Sequence, residues 1–415
     1  MKETKFKQTE VGMIPSDWNV KKIGEVCSIT TGSQNTQDHD ENGKYPFFVR
    51  SQEVERINKY IYDTEGVVTA GDGVGTGKIF HYVNGKFGLH QRCYLMYDFD
   101  KSTSVKYFYW VFSRNFYDRV HSMTAKSSVD SVRREMIADM QIALPPIEEQ
   151  KRIAQALSDV DAVISTTEKL IAKKKALKQG AMQTLLSGKM RIQNGKWIKT
   201  THFKQTELGP IPQDWETKPM ESLIKDISDG PFGSNLKTEH YTSKQEARIV
   251  QLSNVGEDGW NDENVKYTTF SHAKDLARCI VPYGAIIIAK MMPAGRSIIC
   301  PDDEKMYILG SDCVKFIPND SLNSKYFIYF SKCDFYLKQI ADNTQGSTRA
   351  RTSVSKLKKI QVLLPSKPEQ TAIATATVLS DMDSEIAALE TKLAKYRQLK
   401  TGMMQQLLTG KIRLV

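Results

Sequence analysis

A helical segment of about forty residues occurs twice in the chain, and it limits the possible folds more than any other feature. The first copy runs from Pro145 to Gly188 and the second from Leu364 to Lys411. Each copy begins with proline followed by glutamate, residues that favour the first turn of a helix, and each ends on Leu-Leu-Ser/Thr-Gly-Lys. At about 1.5 Å of rise per residue, each copy would form a rod roughly 60 Å long.

Apolar residues recur three and four positions apart along both copies, which is the pattern of a coiled-coil seam. Lys174 stands where this seam would have an apolar side chain. Two such amphipathic rods should pack together, and the short connections between repeats favour an antiparallel arrangement. The predicted interface residues are Leu157, Val160, Ile164 and Ile171 in the first helix and Leu379, Met382, Ile386, Leu389, Leu393 and Tyr396 in the second.

The segments that precede the two helices are also copies of each other. Residues 6–23 and 203–220 are identical at 11 of 18 positions, and both contain Gly-x-Ile-Pro-x-Asp-Trp. We interpret this motif as a turn with a buried tryptophan. The offset between the copies grows from 197 here to about 220 at Cys93 and Cys313, which predicts an insertion in the second copy within residues 221–283.

These repeats predict an α+β protein with two tandem globular α/β domains, separated by two long antiparallel coiled-coil helices in a pseudo-two-fold internal repeat. The domains would then lie at opposite ends of the helix pair, and the short connections predict that the two termini lie near each other. The predicted boundaries are 1–144 for the first domain, 145–188 for its helix, 189–202 for a linker, 203–364 for the second domain, 365–410 for the second helix and 411–415 for a C-terminal tail.

Composition narrows the class of protein and of partner. The formal net charge of +10 favours a polyanion partner, because Lys and Arg gain free energy by displacing counterions from phosphates. The six cysteines are scattered without a C-x-x-C pair, which indicates reduced thiols, a cytoplasmic location and no zinc site. No apolar run is long enough to cross a bilayer, and the first ten residues are polar, so we expect no membrane association.

Three stretches resemble parts of catalytic motifs, but each lacks an essential residue. The glycine-rich stretch 71–78 has Asp72 where a phosphate-binding loop needs its first glycine and Ile79 where it needs a hydroxyl. Residues 229–232 lack the first proline of an amino-methyltransferase site, and residues 301–305 read as a charged turn rather than a nuclease core. We therefore predict no catalytic residue and no metal ligand in this chain.

Loops rich in Arg, Lys, Ser and Thr are better candidates for function, because these side chains bind phosphate oxygens and Arg also reads guanine edges. Solvated polar loops remain the alternative interpretation. The candidate DNA contacts are Lys78, His90, Gln91, Arg92, Lys126, Ser127 and Arg133 in the first domain and Lys290, Arg296, Ser311, Ser347, Arg349 and Arg351 in the second.

The twice-used Thr-Glu-x-Gly-x-Ile-Pro-x-Asp-Trp motif, the Leu-Pro…Glu-Gln helix start and the Leu-Leu-Ser/Thr-Gly-Lys helix end make the whole chain resemble the specificity subunit of type I restriction–modification enzymes. The resemblance implies two target-recognition domains that each read half of a bipartite site in double-stranded DNA. It also implies that the two helices set the length of the unspecified gap between the half-sites and dock two methyltransferase subunits. Motor-nuclease subunits are further partners that the resemblance implies.

In that family the chemistry belongs to the partners, so S-adenosylmethionine, ATP and Mg²⁺ are expected in those subunits and no cofactor in this chain. Two alternatives from other classes remain at this point. One is a structural scaffold whose two domains bind protein partners, and the other is a self-contained DNA-modifying enzyme with a dispersed active site.

Overall fold

The computed structural model describes residues 4–73, 75–124, 131–193, 196–257, 259–303, 305–344, 350–375 and 377–415. The chain divides into two compact units. Unit 1 comprises Met1–Ile171 and Ala388–Val415, and unit 2 comprises Ala172–Ala387. Both divisions fall within the long helical segments, so each unit contains one globular domain and a part of both helices.

A six-stranded mixed sheet forms the centre of unit 1. The central pairs are antiparallel, whereas Tyr45–Phe48 runs parallel to Phe80–Leu89. In sheet order the strands are Ser28–Thr31, Cys93–Tyr97, Tyr62–Ala70, Phe80–Leu89, Tyr45–Phe48 and Glu55–Ile57. Two further antiparallel pairs are Phe6–Thr9 with Gly12–Pro15 and Asn19–Lys22 with Gln141–Leu144.

The helix Val105–Thr124 packs its aromatic side chains into the core of unit 1. Phe108, Phe112 and Phe116 stack at successive turns of this helix and are fully buried. This spacing of four residues places the three rings on one face of the helix. The shorter helices of the unit are Ile23–Val26 and Arg134–Ala138.

Unit 2 repeats this architecture with the sheet divided in two. The four-stranded sheet has the order Ile224–Asp229, Cys313–Pro318, Ile286–Ala289 and Ser297–Ile299. The five-stranded sheet has the order Tyr241–Thr242, Tyr267–Thr268, Ala247–Val250, Met306–Leu309 and Ile280–Val281. Three antiparallel pairs accompany them: Met190–Gln193 with Lys196–Lys199, Phe203–Thr206 with Gly209–Pro212, and Glu216–Pro219 with Gln361–Leu364.

Two helices, Ser324–Phe330 and Asp334–Thr344, take the place of the single aromatic helix of unit 1. Tyr326, Phe327 and Tyr336 from these helices are fully buried in the core. The strand Tyr241–Thr242 and the helix Phe270–Asp275 lie within residues 221–283, where the sequence predicts the insertion. A further short helix is Val354–Lys358.

The first long helix runs without a break from Ile147 to Leu186. The second, predicted as one helix over 365–410, is instead two helices, Lys367–Ala374 and Thr377–Leu407. Threonines 371, 375 and 377 surround the division, and β-branched residues have a lower helix propensity than straight-chain ones. Residues 189–202, predicted as a linker, include two antiparallel strands, Met190–Gln193 and Lys196–Lys199.

The glycine that follows each long helix has a conformation that few other residues adopt. Gly188 and Gly410 both have φ of +68°. A Cβ on Gly188 would lie 2.3 Å from Pro212 Cγ, and one on Gly410 would lie 2.3 Å from Pro15 Cγ. Each helix end is therefore pressed against the Gly-x-Ile-Pro-x-Asp-Trp turn of its own unit, which explains why the Gly recurs in both copies.

Candidate nucleic-acid interface

Charged side chains gather at one edge of the sheet in unit 1, where two strands end side by side. Ala70 ends its strand opposite Cys93, so the residues just outside the strands, Asp72 and Arg92, are close neighbours. Arg50 reaches the same place from the segment after Tyr45–Phe48. Arg50, Asp72 and Arg92 form what we call the strand-end surface of unit 1.

Asp72 is the centre of this surface. Its two carboxylate oxygens bind Arg50 Nη1 at 2.6 Å and Arg92 Nη1 at 2.9 Å. Burial disfavours the ionised form, but the hydrogen bonds from the two guanidinium groups outweigh it and hold the pKa of Asp72 below its usual value. The carboxylate is therefore ionised at neutral pH, and the three groups together keep a net positive charge.

His90 and Gln91, both predicted as DNA contacts, are occupied within the loop that carries Arg92. His90 is only 5% exposed, and its Nδ1 accepts the backbone N–H of Arg92 at 3.1 Å. Burial and the nearby positive charges lower the pKa of His90, so its ring is neutral. The Gln91 side-chain amide donates to Asn35 Oδ1. These contacts orient the loop, and they leave Arg92 as its exposed, charged side chain.

Two other predicted residues of unit 1 are exposed and take no part in the ion pairs of Asp72. Lys78 ends the glycine-rich stretch, and its Nζ is 5.5 Å from the ring centroid of Tyr117. Arg133 stands at the N-terminal cap position of the helix Arg134–Ala138. The predicted contacts Lys126 and Ser127 lie outside the described residues.

The equivalent edge of unit 2 carries different charges on a shared backbone frame. The Thr352 N–H donates to the Lys290 carbonyl at 2.9 Å, just as the Val132 N–H donates to the Gly71 carbonyl at 2.7 Å in unit 1. The Lys290 side chain is buried and binds Asp229 Oδ1 at 2.7 Å. The ammonium group of Lys290 is therefore buried at this edge of the sheet, and it is less accessible to a ligand than the sequence predicts.

Asp312 and Arg351 complete the strand-end surface of unit 2, which we define as Asp229, Lys290, Asp312 and Arg351. Arg351 Nη2 lies 2.8 Å from Asp312 Oδ1, and both side chains are partly exposed. Ser311 beside them is half-buried, and Arg296 donates from Nε to the Pro293 carbonyl at 3.3 Å. The predicted contacts Ser347 and Arg349 lie outside the described residues.

The long helices pack against each other in an antiparallel sense within each unit. In unit 1, Asp161 pairs with Lys400 and Glu168 pairs with Arg397. As the residue number rises on one helix, it falls on the other. The predicted interface residues are buried or half-buried: Leu157, Val160, Ile164, Ile171, Leu389, Leu393 and Tyr396 in unit 1, and Leu379, Met382 and Ile386 in unit 2.

Lys174, which interrupts the apolar seam in the sequence, pairs with a carboxylate of the facing helix. Its Nζ lies 2.6 Å from Glu385 Oε1. Lys178 makes the equivalent pair with Asp383 one turn later. The seam of unit 2 therefore changes from apolar packing to ion pairs at this point, and the two helices stay in register.

An arginine, two carboxylates and the repeated tryptophan form a cluster in each unit, which we call the arginine clamp. In unit 1, Arg413 donates to both oxygens of Glu149 at 2.7 and 2.8 Å and to both oxygens of Asp17 at 3.0 and 2.7 Å. Trp18 Nε1 donates to Glu149 Oε2 at 3.2 Å. Unit 2 has the same arrangement, with Arg191, Glu369, Asp214 and Trp215.

The clamp joins a helix start, a turn and the segment after the opposite helix end, so its role is structural. Both arginines lie just beyond the Gly-Lys at which the helix repeat predicted from the sequence ends, so neither was predicted. The signal was present, because Gly-Lys-x-Arg recurs as residues 188–191 and 410–413.

Carboxylates in two of the stretches that resemble catalytic motifs form ion pairs and hydrogen bonds with other side chains of unit 2. Asp229 binds Lys290, and Asp303 binds Lys305 Nζ at 2.6 Å and the Tyr307 hydroxyl at 3.0 Å. Among the described residues, no group of three or more His, Cys, Asp or Glu side chains could hold a metal ion. Burial raises the pKa of five thiols to about 12, which keeps them protonated: Cys27, Cys93, Cys300, Cys313 and Cys333.

Within the described residues, no helix combines the length and the apolar character needed to cross a membrane.

Comparison with known proteins identifies the repeated domain. The family described as type I restriction modification DNA specificity domain matches residues 15–176 and 212–396. The type I restriction enzyme MjaVIII specificity subunit of Methanocaldococcus jannaschii is 26% identical over 429 residues, which cover 99% of this chain and 97% of that protein. The EcoDI specificity subunit of Escherichia coli is 27% identical over 253 residues, 56% of each chain.

Solved structures show the same fold. The S subunit of a type I restriction–modification system from M. genitalium aligns with a TM-score of 0.60 and 15% identity, over 97% of this chain and 98% of that one. A second solved structure comes from work on the complex assembly and conformational transition of the type I restriction–modification system. It aligns with a TM-score of 0.54 over 96% of this chain and 99% of that one. The family match confirms the resemblance stated from the sequence, and the chain belongs to the type I restriction modification DNA specificity family and carries its domain twice.

Proposed function

We propose that the chain is the non-catalytic DNA-specificity subunit of a type I restriction–modification system, and that each domain reads one half of a bipartite site. The observation that carries this proposal is the double occurrence of the specificity domain in one chain, with a different set of charges at the strand-end surface of each copy. Two diverged copies of one reader are suited to two different half-sites.

The charge of the chain supports DNA as the ligand. The net charge of +10 favours binding to a polyanion, and the phosphate contacts would supply affinity without specificity. Specificity then requires side chains that reach base edges in a groove. We propose that the exposed arginines Arg92 and Arg351 do this, while Lys78 and Arg133 contact phosphates.

We propose that the domain boundaries follow the repeat, with residues 1–144 and 203–364 as target-recognition domains and the two helical segments as the ruler for the gap between half-sites. The antiparallel ion pairs within each unit support this role, because they fix the register of one helix against the other. A fixed register gives a fixed separation, as half-site spacing does in dimeric DNA readers.

The outer faces of the helices are candidates for docking the methyltransferase subunits. Val163 and Leu170 lie seven residues apart on the first long helix and are 41% and 39% exposed. Their spacing puts them on one face, away from the buried seam residues Ile164 and Ile171. An exposed apolar stripe of this kind suits a partner surface. Because the specificity subunit only reads the site, S-adenosylmethionine, ATP and Mg²⁺ would be bound by the methyltransferase and motor-nuclease partners, in the cytoplasm.

The proposal is tested by a methylation map of genomic DNA from cells that carry this chain and its partner methyltransferase, compared with cells that lack only this chain. A split motif that is methylated only when the chain is present is the expected result. Methylation of the same sites without the chain would refute the specificity role. Binding to matched and scrambled DNA at one fixed salt concentration separates this function from that of a protein scaffold.

A further inference from the structure

We propose that Arg92 reads a guanine in the half-site of the first domain, and that Asp72 is the positioning residue that holds its guanidinium group for this contact. The inference rests on the proposed specificity function and goes beyond it, because it names the base, the side chain that reads it and the residue that orients the side chain.

Arg92 is fixed from two sides while its side chain stays accessible. Its backbone N–H bonds to His90 Nδ1 at 3.1 Å, and its carbonyl accepts the Gly71 N–H at 2.8 Å. Its Nη1 binds Asp72 Oδ2 at 2.9 Å, yet 58% of the side chain is exposed. An arginine held in this way loses less conformational entropy on binding than a free one.

The part of the guanidinium group that Asp72 leaves open matches guanine. In the described part of the chain, the structure gives Arg92 Nε and Nη2 no acceptor. Two parallel N–H groups can donate together to O6 and N7 of guanine in the major groove. Adenine presents a donor in place of O6, so the same pair of N–H groups discriminates against it.

Arg50 explains why Asp72 does not neutralise this surface. One carboxylate binds two arginines, so the group keeps one net positive charge, which favours approach to DNA. Arg50 also occupies the second carboxylate oxygen, which prevents Asp72 from turning away from Arg92. The surface is thus both positively charged and held in one geometry.

Unit 2 has the opposite charge at the equivalent position. Asp312 precedes Cys313 as Arg92 precedes Cys93, and it pairs with Arg351 from a different segment. The Asp312–Arg351 pair carries no net charge, so this edge presents a different pattern of donors and acceptors. The guanine contact of Arg92 is therefore specific to the first domain, and the second half-site serves as an internal reference.

The test uses the full chain with its partner methyltransferase in cells, and the readout is the methylated motif. The variants are Arg92→Ala, Arg92→Gln, which keeps a polar side chain without the two parallel N–H donors that guanine accepts, and Asp72→Asn, which weakens the hold on Arg92. Lys101→Ala is the control, because it removes an exposed positive charge from the same unit without touching the strand-end surface.

We expect Arg92→Ala and Arg92→Gln to relax one G·C position of one half-site by roughly 5- to 150-fold in preference, with the other half-site and the gap unchanged. Asp72→Asn should relax the same position, and Lys101→Ala should leave the motif as it is. An unchanged motif in Arg92→Ala overturns the inference, and so does a wild-type motif without a G·C pair in either half-site.

If Arg92→Ala prevents folding, Arg92→Gln decides the question, because a wild-type preference in that variant also overturns the guanine contact. Failure of the proposed function has a different signature. In that case the wild-type chain itself makes no difference to the methylation map.

Discussion

Replacing Arg413 with methionine should lower the free energy of unfolding of unit 1, and the geometry of the arginine clamp allows the size of this loss to be estimated. The Glu149 side chain is only 2% exposed, and Arg413 donates to both of its oxygens. Without Arg413, the carboxylate keeps, among the residues that the structure describes, the Trp18 N–H and a long bond of 3.4 Å from the Leu414 N–H. Removing one partner of a buried ion pair costs about 3–5 kcal/mol, because the other charge is left without compensation.

Asp17 does not add much to this cost. Its side chain is 52% exposed, so water can replace the guanidinium group when Arg413 is absent. The loss therefore comes mainly from Glu149. Combining Arg413→Met with Glu149→Gln should recover part of it, because the neutral amide still accepts the Trp18 N–H and leaves no buried charge.

Hydrogen exchange measured by mass spectrometry on the full chain separates the two units. Peptides that cover Trp18 and Glu149 should lose roughly 3–5 kcal/mol of protection in Arg413→Met, equivalent to a fall in Tm of roughly 6–20 °C. Peptides that cover Trp215 serve as the reference. Arg191→Met should give the reverse pattern, because the clamp of unit 2 has the same geometry.

Two results would refute this reasoning. A loss below about 1 kcal/mol in Arg413→Met would mean that the carboxylate finds other partners or water. A double variant as unstable as Arg413→Met alone would mean that the loss comes from packing of the arginine stem rather than from the unpaired charge.

Three further predictions concern pH, the seam and the ruler. The hydrogen bond from the clamp arginine holds the pKa of Asp17 and Asp214 below the usual value, so their stabilisation is present above the unfolded pKa of about 3.9 and is lost as pH falls through the folded pKa. The difference in Tm between wild type and the Asp17→Asn, Asp214→Asn double variant should therefore shrink below pH ~4, and a constant difference would contradict it. Lys174→Leu should raise the free energy of unfolding of unit 2, measured in urea, by about 1 kcal/mol, because a half-exposed ion pair contributes less than a buried leucine. A lower free energy of unfolding would show that the pair with Glu385 contributes more than the leucine. One heptad inserted into both long helices adds about 10.5 Å and should lengthen the gap of the methylated motif by about 3 base pairs with both half-sites kept, whereas an unchanged gap would exclude the ruler.

The order of domains and helices could be predicted because it is written in local, periodic patterns. The three- and four-residue spacing of the apolar residues gives the helix and its buried face, and the structure has Leu157, Ile164 and Ile386 in that face. The repeated Trp18 and Trp215 were predicted to be buried, and both are fully buried. A twofold repeat strengthens each of these predictions, because two copies of one fold need the same residues at the same places.

The candidate DNA contacts remain predictions, and the sequence indicated only part of their surroundings. Arg92 and Arg351 were identified by residue type and loop position, but their carboxylate partners Asp72 and Asp312 were not. The pairing of Asp72 with Arg50, 22 residues away, depends on which strands lie side by side in the sheet. Strand register is a long-range property, and a single sequence does not contain it.

The sequence by itself determined the repeat and the long helices with their seam, because both are patterns that can be read directly along the chain. The tertiary structure alone decided which charges are free and which are held. It buries Lys290 against Asp229 and leaves Arg92 exposed on Asp72, although both looked equally available in the sequence. It also joins Arg413 to Glu149 across 264 residues. The strength of a charge pair depends on its burial and its neighbours, and only the folded chain sets these.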